Sequence, residues 1–314
     1  MAAPCDRQGE TSPPPPVDPT PKATPPMQLQ LRHERSSDGI VTLWLARPER
    51  PVVVLDQWLL DQLHLFFDWL GTQPAPTGFV LMSDNPRTFV AGADLAEIDV
   101  LDDASLHAYL TEGAHAYARI TRLPCPSVAC VHRTALGGGL EIALHCDGLL
   151  AQLPPPGEKP WRVGLPEAGL GLCPGWGGTQ MLPARIDPAE AIRATAAGTT
   201  WPIDKCPPGL FDEIVPAGGD LRAAAVRYIR NNPRAGTPSV PRSIDAGNRD
   251  AVGAALAALR STLPDTPAAH AVVEAVTIGI ADGWTAAIAA ERRLLVGLRH
   301  TPEAREKLAA FLKR

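Results

Sequence analysis

Ala135-Leu136-Gly137-Gly138-Gly139-Leu140-Glu141-Ile142-Ala143-Leu144-His145-Cys146-Asp147 is the densest signal in the sequence, and it follows an apolar run, Ser127 to Val131, that reads as a buried strand. Three successive glycines leave backbone N–H groups unobstructed, and the helix expected from Glu141 onward turns its positive end toward whatever occupies the turn. A developing negative oxygen suits such a place, and Glu141 in the first helical turn is near enough to act on the same small molecule. Taken alone, the glycines are equally compatible with close helix–strand packing, and Glu141 with a simple answer to the helix dipole.

Working outward, strands and helices alternate. Ile40 to Leu45 reads as a strand, and Asp56 as the N-cap of a helix with Leu59, Leu63, Phe66, Phe67 and Leu70 on one face. Gly78 to Met82 is the next expected strand, and Ser105 to Arg122 the next helix. The alternation specifies an α/β fold. Residues 1–26, dominated by Pro13 to Pro16 and further prolines, lack the apolar side chains to offset ordering entropy and are expected to form a disordered tail. Asp6, Glu10 and Asp18 against only Arg7 and Lys22 argue against a mitochondrial import signal. The α/β part spans 27–232. Pro233 to Pro241 is rich in Pro, Gly and Asn and suits a joint to a helical C-terminal region, 233–314. The last helix is expected to have Thr301 as N-cap and Pro302 at its first position, with Leu308, Phe311 and Leu312 on a face that must dock on this chain's core or on another subunit.

Two further small-residue clusters flank the glycine turn. Phe89-Val90-Ala91-Gly92-Ala93-Asp94-Leu95 is a turn whose backbone can approach a ligand, although an ordinary loop has the same composition. Gly164-Leu165-Pro166-Glu167-Ala168-Gly169-Leu170-Gly171, followed by Pro174-Gly175-Trp176-Gly177-Gly178-Thr179-Gln180, sets a carboxylate in a restricted Pro/Gly frame. In this order and at these spacings the three clusters resemble the signature of the enoyl-CoA hydratase/isomerase (crotonase) superfamily. Leu123 to Ala129 and Gly209 to Pro216 extend the resemblance over roughly residues 35–230. Val52-Val53-Val54-Leu55-Asp56 and the closing Thr301 to Phe311 are similar to the hydratase portion of multifunctional fatty-acid oxidation enzymes, but no dinucleotide-binding fingerprint follows.

The resemblance implies a crotonase-like spiral of β-β-α turns with a helical C-terminal region, assembled as homotrimers or homohexamers. It implies an acyl-CoA thioester substrate, an oxyanion hole formed by Ala93 and Gly138 N–H, and catalytic glutamates at Glu141 and Glu167. Arg87 matches a position that contacts CoA phosphates, and Ala91, Asp94 and Leu95 match the loop beside the adenine. A basic residue usual just after that loop is Ala96 here. Other departures are His132-Arg133 where Asn-Gly is common, and the insertion-like Leu153 to Pro160. The expected activity is a lyase: hydration of trans-2-enoyl-CoA to 3-hydroxyacyl-CoA, with Glu141 activating water and Glu167 protonating Cα. Δ3,Δ2-enoyl-CoA isomerase, another acyl-CoA lyase or hydrolase on the same fold, and a non-catalytic scaffold are the alternatives. CoA arrives as part of the substrate, and no separate cofactor or metal is implied.

Composition agrees with a chain of this kind. The 314 residues are 45% hydrophobic and 20% charged, the balance of a globular protein. A net charge of −5 with scattered basic residues lacks the footprint of a nucleic-acid binder. Apolar runs fall short of the ~18 residues of a membrane-spanning helix. The six cysteines show no metal-type spacing and read as reduced packing residues of a cytoplasmic protein. His132, His145 and Trp176 read as structural rather than catalytic.

Overall fold

The computed structural model describes residues 27–234 and 240–313, so the proline-rich segment 1–26 and most of the expected joint at 233–241 lie outside the described residues. Strands β1 (His33–Arg35) and β2 (Ile40–Leu45) form a hairpin that opens the larger sheet. From β2 onward the chain repeats a pattern. One strand joins the larger sheet, the next segment joins a smaller sheet, and a helix returns. Helix α1 (Gln57–Gly71) follows a bridge between Leu55 and Ala93. Strands β3 (Gly78–Ser83) and β4 (Thr88–Val90) lead to helices α2 (Leu95–Val100) and α3 (Asp103–Thr121). Strands β5 (Ser127–Val131) and β6 (Thr134–Leu136) lead to α4 (Gly138–Leu144). Strands β7 (Gly148–Gln152) and β8 (Arg162–Gly164) lead to a 3-10 turn at Glu167–Leu170 and helices α5 (Gly178–Met181) and α6 (Pro188–Ala197). Strands β9 (Thr200–Pro202) and β10 (Glu213–Val215) close the two sheets before α7 (Leu221–Asn231).

The larger sheet has the order β1-β2-β3-β5-β7-β10 and is parallel from β2 on, while the smaller runs β4-β6-β8-β9 with only the last pair antiparallel. This is the expected spiral of β-β-α turns. Both faces of the larger sheet are covered, which is why its strands read as continuous apolar runs. Val80, Val128, Cys130 and Leu150 face Ala225 and Ile229 of α7. The alternate residues Phe79, Leu81, Ala129, Val131 and Leu149 face the main core. Asp56 caps α1 by accepting from Leu59 N–H at 2.9 Å, and the anticipated apolar face from Leu59 to Leu70 is buried. Helix α3 begins earlier than its apolar pattern indicates, because Asp102 caps it through Ser105 N–H.

Helices α8 (Arg249–Leu259), α9 (Pro267–Leu298) and α10 (Pro302–Leu312) form the C-terminal region. Helix α9 has the length and mean hydropathy, 1.4, of a membrane-crossing segment. Its backbone breaks at Gly283 (φ 79°, ψ −172°), and it packs on α3, α5, α6 and α8. Val272, Val276 and Leu295 join the same core as the sheets. Thr301 caps α10 as expected, and Leu308 docks on the core, whereas Phe311 and Leu312 remain exposed.

Candidate active site

The glycine turn joins β6 to α4. Gly137 (φ 52°, ψ −128°) donates its N–H to Gly164 O at 2.9 Å, tying the turn to the end of β8. Both readings of the glycines hold together. A Cβ on Gly138 would lie 2.4 Å from the Trp176 ring, and one on Gly139 would lie 2.3 Å from Val90 O, so packing forbids side chains at either. At the same time Gly138, as the first helical residue, has an N–H with no intrahelical acceptor. Ala93 is exposed to the same space by ladder geometry. Leu55 N–H donates to Gly92 O and Asp94 N–H donates to Leu55 O, at 2.9 and 3.0 Å, so the intervening Ala93 N–H points away from that bridge.

Ala93 and Gly138 line a cavity of about 70 Å³ together with Glu141 and Glu167. Glu141 is buried, and its Oε1 accepts from Trp176 N–H and Gly178 N–H, each at 2.8 Å. Burial outweighs these donors and pushes its carboxyl up to about 7. Glu167 opens the 3-10 turn and rests against Gly137, where a Cβ would lie 2.7 Å from Oε1. Its Oε2 is buried without a hydrogen-bond partner. Burial first, and then the negative charge of Glu141, hold this carboxyl well above the ordinary carboxylate range. Burial therefore favours the protonated form of both carboxyls. Among the described residues no group of three or more His, Cys, Asp or Glu side chains is placed to hold a metal ion.

The enoyl-CoA hydratase/isomerase family model matches residues 35–261. The chain belongs to that family. Solved structures with the same fold include an enoyl-CoA hydratase from Bacillus anthracis, 23% identical with a TM-score of 0.57, covering 90% of this chain and 96% of that one. An enoyl-CoA hydratase from Mycobacterium avium subsp. paratuberculosis is 21% identical with a TM-score of 0.61 over 92% and 97% of the two chains. One from Bacillus halodurans is 19% identical with a TM-score of 0.63 over 89% and 99%.

Of the family positions named from sequence, Ala91, Ala93, Leu95, Gly138, Glu141 and Glu167 converge on the one cavity. Arg87 and Asp94 are not among its lining residues. Arg87 is exposed ahead of β4. The Asp94 carboxylate caps α2 through Ala96 and Glu97 N–H and pairs with Arg50, so its contacts are structural. Two of the three departures from the family pattern meet each other. Arg133 pairs with Glu158 of the inserted stretch at 3.1 Å and donates to Pro86 O, while His132 Nε2 lies 3.0 Å from Asn85 O. His145 is structural, its Nδ1 lying 2.8 Å from Glu141 O, and burial lowers it to about 4. Trp176 has two parts to play. It is buried with its indole N–H on Leu110 O, and its ring also lines the cavity.

Glu291 escaped the sequence reading. Fully buried on α9, it accepts from Gly177 N–H at 2.6 Å and Thr179 N–H at 3.0 Å. The available signal was its helical spacing with Ala287, Leu295 and Leu298, which marks the buried face.

Proposed function

We propose that this protein adds water to trans-2-enoyl-CoA thioesters, giving 3-hydroxyacyl-CoA. The observation that carries the reading is the pair of unlike buried carboxyls on one small cavity. Glu141 is fixed by two amides with its carboxyl at about 7, and Glu167, with an unpartnered oxygen, is raised well above the ordinary carboxylate range. Such a pair supplies a base and an acid at neutral pH without an external titrant.

The thioester oxygen accepts from Ala93 N–H and Gly138 N–H, donors that need no reorganisation as charge develops. Ionised Glu141 takes a proton from water while the water oxygen bonds to Cβ. The Cα–Cβ π pair moves to Cα with negative charge shared by the thioester oxygen, and Glu167 delivers its proton to Cα. The turn ends with Glu141 protonated and Glu167 ionised, and passage of one proton from the first to the second restores both. Net hydration changes no overall oxidation state, and CoA enters as part of the substrate. Leu110, Leu172, Trp176 and Leu295 close the apolar part of the cavity, which favours short acyl groups. Arg87, exposed ahead of β4, is assigned to CoA phosphates, and Ala91 and Leu95 to the cavity wall. Assembly as trimers or paired trimers and a cytoplasmic location belong to the same proposal.

The test is purified protein with trans-2-enoyl-CoAs of increasing chain length, followed by loss of the conjugated enoyl absorbance. Hydration fastest on the short substrates is expected. No hydration at any length would overturn the proposal.

A further inference from the structure

Four consecutive residues, Trp176 to Thr179, offer their backbone N–H groups alternately to two different carboxyls. Trp176 and Gly178 donate to Glu141 Oε1. Between them Gly177 donates to Glu291 Oε2, and Thr179 donates to Glu291 Oε1 through both its N–H and its hydroxyl. The turn has little freedom to choose otherwise. Gly177 sits at φ 104°, and a Cβ there would lie 2.4 Å from the Trp284 ring of α9. Helix α5 is a single turn, so its first N–H groups find no acceptors within it. A buried carboxyl is costly to keep unless the groups around it need its oxygens. Here both oxygens are engaged, and by the alternate amides of the turn that grips Glu141.

We infer that Glu291 is a positioning residue for Glu141: by holding the N–H groups of Gly177 and Thr179 it turns those of Trp176 and Gly178 onto the Glu141 carboxylate. The C-terminal helix α9 is thereby part of the active site's support, although Glu291 is not among the residues lining the cavity. This inference rests on the reading of Glu141 as the base. The titratable neighbours of Glu291 are Glu141, Glu167, Cys173 and Arg292. Burial first and Glu141 second push the Glu291 carboxyl up to about 8, and it acts on Glu141 through the turn they share.

A double-mutant cycle on hydration of trans-2-butenoyl-CoA tests it. Glu291→Gln sets an amide donor against one of the turn's donors, and is expected to lower kcat by ~10–10²-fold, the scale of a small misplacement, with KM within about twofold. Its acidic limb of kcat/KM should move to higher pH, because Glu141 loses donors to its charged form. In a Glu141→Gln background the same change should cost less than about twofold, since the group it positions is already gone. Thr179→Val, close in shape and removing one donor to Glu291, should repeat the pattern with a smaller loss and serves where Glu291→Gln does not fold. Equal fold losses in both backgrounds, or an unmoved acidic limb, would overturn the inference and leave the role of Glu141 standing. Normal hydration by Glu141→Gln itself would instead remove the reading on which it rests.

Discussion

The interior of the candidate site and the exposed start of the smaller sheet are built on opposite principles. Inside, Glu141 and Glu291 are held by backbone amides, Glu167 is packed against Gly137, and Gly138 and Gly139 have no room for a Cβ. Ahead of β4 and β6, Arg133 and Glu158 make an ion pair with Glu158 53% exposed, and Arg87 is open to solvent. Interior groups in low dielectric interact strongly, so displacement is costly there. Exposed pairs are screened and contribute ~0–1 kcal/mol. Chemistry should therefore respond steeply to changes inside and weakly to changes at that exposed surface.

The largest effect is expected at the two cavity acids. Glu141→Gln and Glu167→Gln should each lower hydration by ~10²–10⁴, and the double replacement should cost far less than the product of the two because the pair acts as a unit. Stopped-flow hydration assays check this. A severe loss confined to Glu167→Gln points to isomerase chemistry, in which one acid suffices. Gly138→Pro removes an oxyanion donor and should cost ~10²–10³ in kcat; full activity in a folded variant would remove Gly138 N–H from the mechanism.

Stability sharpens the contrast from another side. The Glu167 carboxyl is raised in the folded state, so its contribution is favourable in acid and is lost as pH climbs above the ordinary carboxylate value toward the folded one. Glu167→Gln, which does not titrate, should match the wild type in melting temperature at pH 5. At pH 8 it should melt at a higher temperature than the wild type. The smallest effect belongs to the exposed ion pair: Arg133→Ala should leave hydration within about twofold and change stability by ~1 kcal/mol or less, as thermal melts would report.

The legible parts of the site are those whose partners lie close in sequence. The run Ala135 to Asp147 carries strand end, turn, donor and acid within one segment, and Pro166-Glu167 lies in its own rigid frame. Strand β5 and helix α1 were equally clear, because a continuous apolar run and a capped 3.6-residue period each specify one element. Asp94 has partners that the family position does not announce, since its carboxylate closes a helix end and an ion pair with Arg50. The signals for that were local, a cap residue followed by Glu97 in the first turn. Glu291 was hidden for a different reason. Its partners, Gly177 and Thr179, lie more than a hundred positions away, and nothing in an Ala-rich helix announces a long-range acceptor. Phe311 and Leu312 show the converse, apolar residues at helical spacing that the fold leaves exposed.

The central claim, that Glu141 serves as base and Glu167 as acid in hydration, is tested most directly by kcat/KM for trans-2-butenoyl-CoA against pH. The base must be ionised, so the rate should fall in acid with a midpoint near 7. It should fall again in alkali as Glu167 loses its proton, the two midpoints belonging to the coupled pair. Glu141→Gln should abolish the acidic limb. Absence of hydration at every pH, or an acidic limb retained by a folded Glu141→Gln protein, would contradict it.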